Sequence, residues 1–490
     1  MNIAVPTPRR SITSALPLEV LGHITKLLAA SHSKKNLKDI KSLALVCKAF
    51  LPSCTAVIFR HIHGVGFCEG IQARTHHTLG LRLQRLVQVF NAKPELLKYV
   101  RELKIRFGRT CPENYSQYKR CHKILLKLPN LTHLISLDGE PGKVELGWQK
   151  QLIQHYLAQN TLKSIYAEYM VTLDFDKVVG CPLVHDVHLN RVLVSPSATP
   201  SITILSNNIT RLFVHGDVEF PLAILSEMRQ LKALTFNDVS FVPSRLSERP
   251  PSMALESLCL DLMDTPDFSA FRDFYGYYER KVGSRPFGSL KRLRLHIHDE
   301  EDATLVVSLL QAAKNLVSLR VFSVCYSKVH PILMLDHHIQ SVFRGLTSIV
   351  LCSVDGAMVR APSHDEAMSY ISALFISVSS INVLENVRIS IGDMRYYVDT
   401  TSPQTQTLPT SHWGELAGIL ACPQRFPQLQ RVSFSFKLGR SSFGPQVSIT
   451  SWAPEETTQT PFTSLPPSMY SLGRRLGQNF RISFVFHAGV

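Results

Sequence analysis

Two hydrophobic rhythms divide the chain. Over residues 15–63 (ALPLEVLGHITKLLAASHSKKNLKDIKSLALVCKAFLPSCTAVIFRHIH) apolar residues recur at helical spacing in three short blocks. Leu16, Val20, Leu21, Ile24, Leu27 and Leu28 form the stripe of a first helix. Pro17 suits its first turn, with a fixed backbone angle and no N–H to satisfy, and Glu19 stands near its positive end. Residues 31–39 are polar and lysine-rich and read as a solvated loop. Ile40, Leu43 and Val46 resume a helical face, and Val57, Ile58 and Ile62 mark a third block. A unit of about fifty residues has too much surface for its volume to bury all these side chains against one another. The remainder is expected to meet a partner, or to cap the elements that follow.

From about residue 96 the rhythm changes to an apolar residue, two variable ones, apolar, variable, apolar. Clear instances are Val100-Leu103-Ile105, Ile209-Leu212-Val214, Leu231-Leu234-Phe236, Leu255-Leu258-Leu260, Leu290-Leu293-Leu295, Leu316-Leu319-Val321 and Leu384-Val387-Ile389. Leu131-Leu134, Leu162-Ile165, Val184-Val187-Leu189, Leu346-Ile349-Leu351 and Leu429-Val432-Phe434 are weaker. Phrases such as LPN, MRQ, FGS, AKN and FPQ often precede the triplet, as a turn from helix to strand would. The pattern resembles the strand segment of leucine-rich repeats, at an irregular spacing of roughly 22 to 45 residues that implies insertions. The expected fold class is therefore α/β: a helical module at 15–63 after a disordered tail at 1–14, a helical linker at 64–95, and an irregular solenoid over 96–490. Parallel strands would line its concave face, with helices outside. Ser, Thr and Pro make residues 400–410 and 441–467 expected loops, and the alternation Phe480-Ile482-Phe484-Phe486 a closing strand.

Because side chains alternate along a strand, the residues between the apolar positions would line the open face. These include Glu102, Lys104 and Arg106, then Tyr166, His188, Arg211, Phe213 and His215, then Arg292, Arg294, His296, Arg320 and Phe322, then Arg388 and Arg431. Such a face either takes an acidic or phosphorylated segment, since guanidinium forks hold carboxylate and phosphate bidentately, or is merely solvated.

The N-terminal module resembles the F-box, through Leu16-Pro17 followed by Glu19 and then Leu45-Val46-Cys47-Lys48-Ala49-Phe50. The stretch Leu51-Pro52 through Ile58-Phe59-Arg60-His61-Ile62 is similar to the variant common in fungal members. The resemblance covers about a tenth of the chain. It implies docking on the small Skp adaptor of a cullin-RING ubiquitin ligase through Leu16, Pro17, Val20, Ile24, Val46, Cys47 and Phe50. Phe50 stands where many members carry Trp, and keeps an aromatic anchor.

A net charge of +15 suits an acidic partner, but the basic residues are scattered and no nucleic-acid-reading motif accompanies them, so nucleic acid is not expected. No apolar run reaches the eighteen or so residues of a membrane span, and no apolar core follows the basic pair in MNIAVPTPRRSITSA. An intracellular location, cytoplasmic or nuclear, is the expectation. The ten cysteines are scattered singly, which fits free thiols. No phosphate-cradling loop, nucleophile elbow or zinc-protease helix is present, so no catalytic residue, cofactor or metal is assigned. Two clusters hold ligating residues: Cys54, His61, His63 and Cys68, at a spacing matching no familiar zinc pattern, and His296, His298 and residues 299–302, which are acidic and read as a helix start. The expected function is a substrate-recognition adaptor; the alternative is a free-standing leucine-rich-repeat scaffold or inhibitor.

Overall fold

The structure, a computed structural model, describes residues 18–30, 34–46, 48–67, 74–107, 115–138, 148–169, 173–195, 208–242, 255–261, 271, 287–297, 306, 309–325, 345–355, 371–376, 378, 382–391, 410–438 and 467–486. The expected tail at 1–14, together with Leu16, Pro17, Cys47 and most of the two Ser/Thr/Pro-rich segments, lies outside them. The chain divides into two compact units, Met1–Ile209 and Thr210–Val490.

The first unit begins with helices α1 (Leu18–Ala30), α2 (Lys34–Val46) and α3 (Leu51–Arg60). Leu21, Ile40, Phe50 and Cys54 form their common core, with Leu43, Ala44, Ala49, Val57 and Ile58 packed against it. The lysine-rich stretch is helical from Lys34, not a loop through residue 39. Ile40, Leu43 and Ala44 lie at helical spacing and pack into that core, so packing favours the helix, and Lys38 and Lys41 on it are exposed.

Strand β1 (His61–Phe67) follows α3 directly, and helix α4 (Arg74–Ala92) comes next, so the stretch read as a helical linker is strand, then helix. Ile62, read as part of the third apolar block, sits on β1, and the Gly64–Gly66 segment lies within that strand. Gly64 has φ +71°, where a side chain would be strained, and the register with the next strand shifts between Ile62 and Val65. The sheet of this unit runs in parallel from β1 to β2 (Glu102–Phe107), β3 (His133–Asp138) and β4 (Ser164–Glu168), and then to β6 (Asp186–Asn190). A short parallel pair, β5 (Leu173–Asp174) with β7 (Val194–Ser195), flanks β6 in sequence and had no signal in the triplet pattern. Helices α5 (Tyr115–Leu125), α6 (Trp148–Ala158) and α7 (Phe175–Val179) occupy the connections.

The second unit continues the same construction. Strands β8 (Arg211–Pro221), β9 (Ala233–Val242), β10 (Ser257–Asp261), β11 (Arg292–Ile297), β12 (Ser318–Cys325), β13 (Ser348–Asp355), β14 (Asn386–Ile391), β15 (Arg431–Leu438) and β16 (Phe480–Phe486) each pair in parallel with the next. Parallel neighbours require a crossover. Between β8 and β9 the crossover is only a 3-10 turn, Leu222–Glu227, whereas Thr410–Ala421 and Pro467–Leu476 form full α-helices before β15 and β16.

The triplets mark these strands, and their apolar positions form the core: Leu103, Ile105, Leu134, Ile165, Val187 and Leu189 in the first unit, and Leu258, Leu293, Leu319, Ile349, Val387 and Val432 in the second, are all at most 2% exposed. One backbone device recurs at the start of the strands. Two successive N–H groups donate to a single carbonyl at the corresponding point one repeat earlier: Thr132 and His133 to Arg101, Val317 and Ser318 to Lys291, Gln430 and Arg431 to Glu385. In the second unit successive acceptors lie as close in sequence as Thr210 and Lys232 and as far apart as Thr347 and Glu385, so insertions between strands leave the pairing register untouched.

Candidate functional site

In the first unit, the small core of α1–α3 leaves a large part of its apolar complement facing solvent. Along α1, Val20 and Leu27 are 41% and 62% exposed, Ile24 is half-buried, and Leu28 is exposed, so this stripe follows helical spacing beside the inward Leu21. On α2, Leu37 and Leu45 lie two turns apart; Leu45 and Val46 are 89% and 71% exposed, and Leu51 opens α3 half-exposed. Of the residues matched to the F-box contact positions, Val20, Ile24 and Val46 therefore retain accessible surface. Phe50 does not: it is buried in the core of the three helices and anchors them to one another. Leu27, Leu45 and Leu51 belong to the exposed set although the sequence did not mark them as contact positions, because helical periodicity shows them as apolar but cannot tell which side is covered.

Cys54 is also in that core, with its thiol raised by burial despite a hydrogen bond with Thr25. It is therefore not a partner of His61 and His63, and Cys68 lies outside the described residues. The two histidines meet Glu102 instead. His61 and His63 project to the same side of β1, two residues apart, and His61 pairs in register with Glu102 on β2. Glu102 Oε2 lies 3.0 Å from His61 Nδ1, and Oε1 lies 2.6 Å from His63 Nε2. Burial pushes the Glu102 carboxyl up, but the hydrogen bonds with His63 and His61 outweigh it and hold the group below the usual carboxylate range. His133 follows Glu102 across the ladder on β3.

Farther along the open face of this unit, Tyr166 stacks on His188 with ring centroids 5.9 Å apart. Glu168 is held by Asn190 at 2.9 Å, and its carboxyl is raised by burial against the opposing pull of Arg106, Lys104 and Arg191. This part of the face sets a carboxylate among its cations.

The open face of the second unit is different. Register places Arg211, Ala233, Ser257, Arg292, Ser318, Ser348, Asn386 and Arg431 in one row across the strands. The next row holds Phe213, Thr235, Cys259, Arg294, Arg320, Val350, Arg388, Ser433 and Arg481. Arg294 and Arg320 are direct neighbours on adjacent strands, and Arg292, Arg320, Arg388 and Arg431 are exposed. Phe213 and His215 stand two residues apart at the β8 end, with ring centroids 6.4 Å apart. Among the described side chains on this face from β10 to β16, Asp261 is the one carboxylate, and it pairs with His296 at 3.0 Å. His296 thus contacts a side chain of the neighbouring strand within the sheet; His298 and residues 299–302 lie outside the described residues, as does the side chain of Phe322.

Comparison with known proteins found no family model that matches this chain and no curated protein significantly similar to it in sequence.

Proposed function

We propose that the chain is a substrate-recognition adaptor of a cullin-RING ubiquitin ligase of the SCF type. In this reading α1–α3 dock as an F-box on the Skp adaptor, the cullin scaffold binds through that adaptor, and the strand array acts as a leucine-rich-repeat solenoid holding a protein substrate. Transfer of ubiquitin belongs to the partners. The observation that carries the proposal is the exposed apolar surface of a small helical bundle: Val20, Leu27, Leu45, Val46 and Leu51 stand in water while a core of four buried residues holds the helices together. Burying a wholly exposed side chain of this size is worth about 1.5–3 kcal/mol, and a docking partner supplies the share of it that remains at each of these positions. Helix α1 ends at Ala30 and α2 begins at Lys34, so the two helices are closely connected.

The arginine rows of the second unit support the other half of the reading. The like charges of Arg294 and Arg320, directly opposed on adjacent strands, repel, and an anionic segment laid across Arg292, Arg294, Arg320 and Arg388 would relieve that repulsion. An acidic or phosphorylated protein segment has the required chemistry.

Co-purification with the Skp adaptor tests the docking half. The full chain is expected to retain the adaptor, and Leu45→Asp with Val46→Asp to lose it by at least about thirtyfold in affinity, the effect of roughly 2 kcal/mol at an interface anchor. Both side chains are exposed, so the double variant should keep the circular dichroism of the parent. If the parent does not bind, the free-standing scaffold is the better reading.

A further inference from the structure

We propose that His61, His63 and Glu102 form a binding site for a divalent transition metal of the zinc type, clamping the first strand of the sheet to the second. The three residues offer two imidazole nitrogens and a carboxylate oxygen, all within 4.8 Å of one another. This donor set suits zinc and its neighbours among the first-row ions, and three protein ligands leave one position for water or another small ligand.

The backbone prepares the arrangement. His61 and His63 share a face because they are two residues apart on β1, and parallel pairing puts Glu102 beside His61. Ligand atoms around tetrahedral zinc at about 2.0–2.1 Å stand roughly 3.4 Å apart, so each pair of donors needs to change its separation by about 1.5 Å at most. Side-chain rotation accomplishes that, since His61 and His63 have side chains 34% and 50% exposed and Glu102 21%. The present contacts already show the competition involved: each carboxylate oxygen lies at hydrogen-bond distance from one ring nitrogen, and a metal would take the place of the shared protons.

The site also has a mechanical role to fill. β1 pairs with β2 and contains Gly64 and Gly66, with a register shift between Ile62 and Val65, so its own propensity for extended structure is weak. It is also the strand that α3 enters directly, α3 ending at Arg60. A metal bridging His61, His63 and Glu102 would fix this strand in register just where the helical bundle joins the sheet.

Zinc chloride titrated into the full-length chain, with free zinc read by a competing chromophoric chelator, tests the proposal. The parent should bind one more equivalent than His63→Ala, and Glu102→Gln should weaken that equivalent at least tenfold. Zinc held by the chain's cysteines and other histidines contributes equally to parent and variants and cancels in the difference. Because His63 is half-exposed, its replacement should leave the fold intact, which the unchanged circular dichroism of His63→Ala would verify. Equal stoichiometry and affinity in the parent and His63→Ala, or no binding by the parent, would overturn the assignment.

Discussion

Cys259 shows how a residue's neighbours on the sheet decide its chemistry. It lies on the open face of β10, beside Arg294 in the register of β11. Burial pushes its thiol up to about 11, with the pull of Arg294 and Arg320 and the opposing push of Asp261 as smaller effects. Cys121, buried on α5, is likewise pushed up to about 11. A raised thiol pKa depletes the thiolate, which is the reactive form, so at pH 8 only about 0.1% of such a thiol is ionised. With Ellman's reagent at pH 8, Cys259 in the folded chain should react about 100-fold or more slowly than after denaturation, Cys259→Ser identifying its signal. A rate equal to that of the unfolded chain would mean that the two arginines, not burial, govern the thiol. Nothing in the local sequence SLCLD shows this, because the arginines that approach Cys259 come from strands far along the chain. The same holds for Glu102: its spacing from His61 and His63 matches no motif, and only strand pairing makes them neighbours.

At the scale of elements, the short phrases before the strands have a structural role. Asn130 donates its amide to the carbonyl of Lys98 at 2.8 Å, and Asn315 donates to Gly288 at 2.9 Å, each tying a turn to the preceding repeat. These are the asparagines of LPN and AKN, legible in the sequence as punctuation but not as ties between repeats. Asn315→Ala should lower local stability by about 1 kcal/mol, the net worth of an ordinary hydrogen bond. Leu319→Ala, which empties a fully buried position on β12, should cost about 2–5 kcal/mol. Hydrogen exchange measures both: protection is expected to fall mainly in β11, β12 and β13, because each strand pairs only with its neighbours and stability in a stack is carried by nearest-neighbour contacts. The boundaries that the sequence misplaced also have an element-scale cause. The lysines at the start of α2 look like loop when read alone, and β1 looks like a helix end because Ile62 continues an apolar spacing; pairing with β2 makes it strand.

For the whole molecule, the net charge of +15 comes almost entirely from the first unit, with 27 Lys and Arg against 13 Asp and Glu, whereas the second unit holds 26 against 25 and sets arginines across its open face from β11 to β16. An acidic peptide should bind the full chain with an affinity that falls several-fold as salt rises from low to physiological strength, since surface charge is screened over about 8–10 Å. Arg292→Glu with Arg320→Glu should abolish that salt-dependent binding, read by fluorescence anisotropy, while leaving Skp co-purification unchanged. Retained peptide binding in the double reversal would return the face to a merely solvated role. Among the described residues no helix is long and apolar enough to cross a membrane.

What the sequence determined by itself was periodic. Apolar residues at positions 258 and 260, 293 and 295, 319 and 321 mark strands because alternation along a strand is a property of the local backbone, and the same alternation sent the intervening arginines to the open face. Helical spacing likewise disclosed α1 and α3. Tertiary structure decided what depends on distant partners: that Phe50 is covered and Leu45 is not, that Cys54 faces a core while Glu102 faces two histidines, and that the sheet starts at His61. Burial and pairing are set by whichever segments pack together, and the local pattern of apolar residues carries no record of which segments those are.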